Sequence, residues 1–435
     1  MGKKSVNNLY KPMLEHGNVE RKFHVAAKGK TQRADVAVIL KPENIQRHVE
    51  IVIEQLSNTA PEGFDVPNPE RAWKPTRHGK VLINEGTNKK QRQIEKPRYN
   101  YEQVVHHIVV SACYDIFMQG MYEFSCGSVP NRGAHYGKKY IEKWIRTDER
   151  NCKYILKMDI RHFFESVDHD ILKEWLAKKI RDKRMLHILY LIIDGSEQGL
   201  PLGYYTSQWL ANFMLQPLDH FIKEQLHAAH YIRYMDDMVV FGRNKKELHR
   251  MQQQIERFLN ERLNLQMKGN WQVYRFDYVE RKTGKRKGRP LDFMGFEFWR
   301  DKTILRESIM LSCTRKVNRI SKKDKITWYD ATAILSYMGY VTHTDTYAMY
   351  EERIKPHANV KKLKKIVSKH SRNKTERQRP KDQEKTFYCS IHAGDSRTNG
   401  HCWGGFWQPA DGVPENAERQ CYNCKFYTVK GERTS

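Results

Sequence analysis

No run of eighteen consecutive apolar residues occurs anywhere in the chain, so it offers no membrane-spanning helix. The opening residues, MGKKSVNNLYKP, lack the apolar core of a secretory leader. They also lack a myristoylation signal, because Val6 stands where a serine or threonine is needed. Negative charge is short: 51 Asp and Glu face 77 Lys and Arg, giving a formal charge of +26 and a pI near 9.6. That imbalance points to a polyphosphate partner, since each phosphate neutralised releases a counterion. Before residue 389 cysteine is sparse: Cys113, Cys126, Cys152 and Cys313 are scattered, as buried thiols of a reducing compartment are. These absences predict a cytoplasmic protein with no membrane partner. At 435 residues the chain can bury a large core and hold two or three subdomains.

What the chain does have gathers around AAHYIRYMDDMVVFG, Ala228 to Gly242. Two apolar runs flank adjacent aspartates, Asp236 and Asp237, the pattern of two strands joined by a tight turn with Met235 and Asp236 near its tip. Adjacent carboxylates repel each other and gain nothing from a core. They become favourable beside divalent cations, because Mg²⁺ takes a few carboxylate oxygens plus substrate phosphates. Upstream, YILKMDIRHFFESVDHDILKEWLAKKI is strand-like from Tyr154 to Met158, presents Asp159, and turns helical after Asp168, a suitable cap. Between these blocks lies GLPLGYYTSQWLANFMLQPLDHFI, a Gly-Pro-Gly loop running into an amphipathic helix.

YMDD between apolar strands resembles the catalytic motif of reverse transcriptases, and the three blocks stand in the order and at roughly the separations of that family's palm motifs. The resemblance covers about residues 20 to 370. It implies an α+β right-hand polymerase of fingers, palm and thumb, with an antiparallel palm sheet and a helical thumb. Asp159 and Asp236 would bridge two catalytic Mg²⁺ ions, with Asp237 more peripheral. Phe164 takes the place of the bulky aromatic set against the nucleotide sugar, where a ring leaves no room for a 2′-hydroxyl; Phe163 competes for that role. Leu202, Gly203 and Gln208 are the further nucleotide-binding candidates. Glycine at 203 would let the backbone approach the nascent base pair. Leu202 stands where many reverse transcriptases carry glutamine. With Thr206 to Gln208 this departure looks like the enzymes of diversity-generating retroelements, and it implies looser checking of the base pair. Lys268, in LNLQMKGNWQVYRF, matches the family's lysine near the pyrophosphate, where an ammonium stabilises charge or donates a proton.

The segment QIEKPRYNYEQVVHHIVV and its continuation to KWI resemble the fingers of the group II intron lineage. On that likeness Lys96, Arg98 and Arg132 would contact the incoming triphosphate and template. His106 and His107 read as packed or capping residues. RPLDFMGFEFWR, with Phe293 and Gly295, resembles the primer-grip hairpin. From Thr303 the chain is helical and basic, like a thumb that holds a duplex by its phosphates without reading sequence. Retron-specific marks are absent: NRGAH is not Asn-Ala-x-x-His, and VTH stands where retrons have Val-Thr-Gly.

The expected divisions are an N-terminal extension and fingers (1–150), a palm including the primer grip (151–300), a thumb (301–370), a charged linker (371–386) and a small C-terminal module (387–435). Within the first of these, residues 1 to about 55 read as helical with an interruption at Pro42, and Lys80 to Asn84 as a strand. The module is predicted from its cysteines. Cys389-x₂-His392, Cys402 and Cys421-x₂-Cys424 have the close pairing that tetrahedral Zn²⁺ uses. Cys389, Cys421 and Cys424 are expected ligands; His392 and Cys402 compete for the fourth position, with His401 a further candidate.

Taken together, the resemblance implies an RNA-directed DNA polymerase, bacterial or prophage-encoded. Its partners would be template RNA, the RNA–DNA duplex and dNTPs, with a dedicated noncoding RNA or an accessory protein as further partners. An error-prone enzyme of a diversity-generating element is one role; a defence-associated reverse transcriptase is the alternative. A non-catalytic, maturase-like RNA-binding protein is the alternative of another class, and the intact aspartate trio argues against it.

Overall fold

The apolar runs on either side of the paired aspartates form strands. His230–Tyr234 and Asp237–Gly242 make an antiparallel hairpin across the two-residue turn Met235–Asp236. Tyr154–Asp159 pairs antiparallel with the second of these, setting Asp159 opposite Asp237, and Gln272–Arg275 completes a four-stranded sheet. Both faces are covered. Leu156, Met158, Tyr231, Met238 and Val240 belong to one core cluster, whereas Ile155, Ile232, Val239 and Phe241 belong to another. Successive side chains leave a strand on opposite faces, so a sheet buried on both sides needs an unbroken apolar run rather than alternation. Each fully buried side chain of this kind contributes about 1.5–3 kcal/mol.

Helices flank the sheet, and their ends follow local chemistry. Asp168 caps His169–Lys179, accepting from the amides of Asp170 and Ile171 at 3.0 and 3.1 Å. Asn244 caps Lys245–Leu263 through the Lys246 amide, and Asn264, in the left-handed region at φ 51°, ends it. Asn264 also donates to Asp168 Oδ2 at 2.9 Å, joining the two helices. Nearer the N-terminus, helices span His16–Ala26, Ala34–Ile39 and Pro42–Ser57. The break expected at Pro42 is a helix start, with proline at the first position, where a missing N–H costs nothing. A two-stranded ribbon, Lys80–Glu85 with Lys90–Glu95, follows, and then the buried helix Val104–Gln119. The primer-grip segment forms Leu291–Phe293 and Phe296–Phe298, paired antiparallel, with Thr303–Leu305 on the outer edge.

The computed structural model describes residues 5–76, 80–85, 90–377, 387–389, 427–429 and 432–433. The chain divides into two units, residues 1–323 with 336–358, and residues 324–335 with 359–435. The sheet and the elements above lie in the first. In the second, Trp328 stacks on His370 with ring centroids 4.6 Å apart, and the helix Val360–Arg377 precedes short antiparallel strands at Phe387–Cys389, Tyr427–Val429 and Glu432–Arg433. The expected thumb, 301–370, falls in both units, and helix continues through residues 371–377, where a linker was expected. Basic side chains do not end a helix, since Lys and Arg propagate it nearly as well as alanine. No helix among the described residues is long and apolar enough to cross a membrane.

Candidate active site

Strand pairing brings Asp159 and Asp237 face to face, and the turn places Asp236 beside them. Burial raises the Asp236 carboxyl above its ordinary range, and the charge of Asp159, within hydrogen-bonding reach, acts in the same direction. Asp237 is pushed up to about 6, chiefly by burial and against the pull of Lys157. Carboxylates held in this state are stabilised by a cation. Among the described residues no three His, Cys, Asp or Glu side chains converge into a protein-only metal cage. Asp159, Asp236 and Asp237 are the carboxylates a Mg²⁺ ion would meet here, an ion that takes a few carboxylate oxygens and keeps the rest of its coordination for water and phosphate.

Lys268 lies on the same edge. Its amide donates to the Asp159 carbonyl at 2.8 Å and its Nζ stands 3.2 Å from Asp159 Oδ2. The expected pyrophosphate lysine is thus paired with the first-strand aspartate. A cleft of about 430 Å³ opens beside Asp159 and Asp237, walled by Lys157, Gln272, Arg289 and Asp292. Arg92, on the ribbon, was not singled out in the sequence; its charge partly offsets the rise at Asp236. The available signal was a basic residue in the middle of a strand, which only the fold could relate to Asp236.

Phe163 is buried in the core, whereas Phe164 is half-buried at its border, so the two rings divide as core and surface. The Gly-Pro-Gly loop is fastened at two points. The Leu200 amide donates to the Phe164 carbonyl and the Glu95 amide to the Leu202 carbonyl, both at 2.7 Å. Gly203, at φ 112°, packs so closely on Glu95 that a Cβ would overlap its carbonyl. Its lack of a side chain is therefore used against the ribbon. Leu202 faces a cleft of about 750 Å³ with Glu95, Glu165 and Gln198 in its wall. Gln208 is exposed on the first turn of Tyr205–His220.

Among the fingers candidates, Lys96 and Arg98 are exposed beyond the ribbon. Arg132 instead donates to the Tyr122 carbonyl at 2.8 Å and braces its own loop. His106 is buried, with Nδ1 2.7 Å from Thr206 Oγ1, and His107 stacks on Tyr205 at 4.1 Å. A third, basic cleft of about 820 Å³ is lined by Arg306, Arg315, Lys316, Arg319, Tyr337 and Tyr340. Of the zinc candidates, Cys389 ends the strand Phe387–Cys389, while His392, His401, Cys402, Cys421 and Cys424 lie outside the described residues.

The largest omission from the sequence reading lies behind the hairpin. Arg233, two residues before the turn aspartates begin to close, is fully buried and paired with Asp219, also fully buried, at 2.7 Å. A charged residue in an apolar strand was the signal.

Comparison with known proteins places these features among relatives. Residues 83–298 match the family model described as reverse transcriptase (RNA-dependent DNA polymerase). The chain is 32% identical over 106 residues to the retron Ec73 reverse transcriptase of Escherichia coli, covering 21% of this chain and 33% of that one. It is 23% identical over 180 residues to the group II intron-encoded protein LtrA of Lactococcus lactis subsp. cremoris, covering 39% and 28%. The chain thus spans a third or less of these curated relatives' length. Among solved structures, apo telomerase from Candida tropicalis aligns over 72% of this chain and 60% of that one, at 12% identity and a TM-score of 0.43.

Proposed function

We propose that this chain, whose residues 83–298 match the reverse transcriptase family model, is an RNA-directed DNA polymerase, extending a DNA primer along an RNA template. The observation that carries this reading is the meeting of Asp159, Asp236 and Asp237 at one end of the sheet. Divalent cations bound there supply acidification of the primer 3′-hydroxyl and charge neutralisation around the transferring phosphoryl group. Asp159, Asp236 and Asp237 would hold these cations, with Asp237 the more peripheral of the three. Lys268, tethered to Asp159, holds positive charge where pyrophosphate departs. The basic cleft around Arg315 and Arg319 suits duplex phosphates, in keeping with a fingers–palm–thumb division and with the chain's charge of +26.

The direct test uses an annealed RNA template, a DNA primer, dNTPs and Mg²⁺. Wild-type protein extends the primer; Asp236→Asn with Asp237→Asn abolishes extension and leaves RNA affinity nearly unchanged. Wild-type rates in that variant would remove the metal assignment, whereas RNA binding without any extension by the wild-type protein would leave a maturase-like binding protein as the reading.

Selectivity is assigned to Phe164 and Leu202. Phe164→Ala admits ribonucleotides, read as a rise in rNTP incorporation relative to dNTP. Leu202→Gln restores a polar contact and lowers misincorporation, most of all opposite template adenine in an enzyme of the diversity-generating type. A second role, copying a dedicated noncoding RNA in a defence system, draws on the likeness to the retron Ec73 reverse transcriptase. Sequencing the RNA that copurifies with the protein separates the two.

A further inference from the structure

We propose that Arg233 is a positioning residue for the aspartates that follow it, holding the Met235–Asp236 turn in one conformation from inside the fold. The proposal rests on the reading that Asp236 and Asp237 hold the catalytic cations.

The guanidinium carries five N–H donors in a planar fork, and it makes five hydrogen bonds. Nε donates to Asp219 Oδ1 at 2.8 Å; Nη2 donates to Asp219 Oδ2 at 2.7 Å and to Ser125 Oγ at 2.9 Å. Nη1 donates to Asn212 Oδ1 and to the Met235 carbonyl, both at 3.0 Å. Asp219 is held in turn by the hydroxyls of Tyr231 and Ser125, at 2.7 and 3.1 Å. The segment beside the hairpin is tied into the same cluster. The Arg233 amide donates to the Phe124 carbonyl, the Cys126 amide to the Arg233 carbonyl, and Asn212 Nδ2 to the Gly127 carbonyl at 2.9 Å. Burial works against the guanidinium's charge, yet Asp219 more than offsets it, so the group stays cationic.

Stability does not account for this arrangement. Removing two charges from water costs several kcal/mol per ion, and apolar residues of similar volume often replace a buried pair at no loss. What an apolar pair cannot supply is the donor to the Met235 carbonyl. Met235 lies in the left-handed region at φ 55°, a conformation that non-glycine residues adopt at a cost. With its carbonyl bonded from below, the turn that carries Asp236 and leads into Asp237 is fixed. Asp219, Ser125 and Asn212 orient the fork; Arg233 transmits that orientation to the turn. Lysine would keep the charge but lose the fork.

Two variants of the full chain test this. Arg233→Met with Asp219→Leu removes the pair without stranding a charge, and Arg233→Lys keeps a charge opposite Asp219. For each, the thermal midpoint, the affinity for primed template, kcat, KM for dNTP, and Mn²⁺ binding by electron paramagnetic resonance are measured. We expect a folded protein with wild-type template affinity and KM, a kcat lower by about 100-fold, and Mn²⁺ binding weaker by about tenfold, the scale of a misplacement near 1 Å. Lysine should recover less than a tenth of the lost rate. Either variant, if folded, with wild-type kcat and wild-type Mn²⁺ affinity overturns the proposal. Should the wild-type protein not extend primers at all, the Mn²⁺ comparison still decides the positioning role, and the polymerase reading alone fails.

Discussion

Two hairpins in the first unit turn on a methionine in the left-handed region, Met235 at φ 55° and Met294 at φ 53°. Each methionine is packed against a glycine of the segment that precedes the sheet. A Cβ at Gly127 would stand 2.6 Å from both Cγ and the backbone nitrogen of Met235, and one at Gly137 would stand 2.5 Å from Met294 Cε. Behind the turns the resemblance ends. The Met294 turn is followed by Gly295, also at positive φ, the pairing a type I′ hairpin favours, and its strands bury Leu291, Phe293, Phe296 and Phe298. The Met235 turn has no glycine in it and rests on Arg233 and Asp219. A turn whose own residues accept the geometry needs only an apolar bed. A turn that must present two carboxylates has given its second position to aspartate, and its conformation is imposed from outside by directed hydrogen bonds.

Three glycine substitutions set that contrast against experiment. Gly127→Ala should do the most damage, because its Cβ meets the backbone of the Met235 turn, which the Arg233 cluster prevents from moving away. A fall in kcat of about 100-fold is expected, with a smaller loss of thermal stability. Gly295→Ala should cost about 1–2 kcal/mol of stability, measured by denaturant titration, since alanine is strained at φ 85°. Gly137→Ala should be nearly neutral. Its Cβ meets the flexible end of Met294 and, at 3.1 Å, the Ile232 Cδ1 tip, both side-chain ends that can shift, and alanine in the helix Ala134–Thr147 gains up to about 1 kcal/mol of propensity. Equal kcat values for the Gly127 and Gly137 variants would erase the distinction between the two turns.

Much of this architecture was legible in the chain. The central strands, the cap at Asp168, the helix Lys245–Leu263 and the juxtaposition of Asp159 with the hairpin aspartates follow from apolar runs and local signals. What escaped was long-range polar pairing. Arg233 and Asp219 are fourteen positions apart on different elements, and no periodicity relates a strand arginine to a helix aspartate. At Gly203, expected near a nascent base pair, the sequence did not reveal a second close neighbour, the Glu95 carbonyl, because a glycine reports a close approach without reporting to what. Arg132, expected with Lys96 and Arg98 to contact triphosphate and template, also donates to a carbonyl of its own loop, a contact the sequence did not reveal.

The fastening of the Gly-Pro-Gly loop carries a consequence for how this protein can vary. Leu200 hangs on the backbone of Phe164, and Leu202 hangs on the backbone of Glu95. The residue proposed to discriminate sugars and the residue proposed to tolerate mispairs are therefore joined by a three-residue span of one loop. On the proposed roles, a mutation that shifts either anchor is expected to move both filters, which would make discrimination by sugar and by base a single heritable trait. Lineages, and libraries built in the laboratory, will have to explore positions 164 and 202 together, and their double substitutions will not be the sum of the single ones.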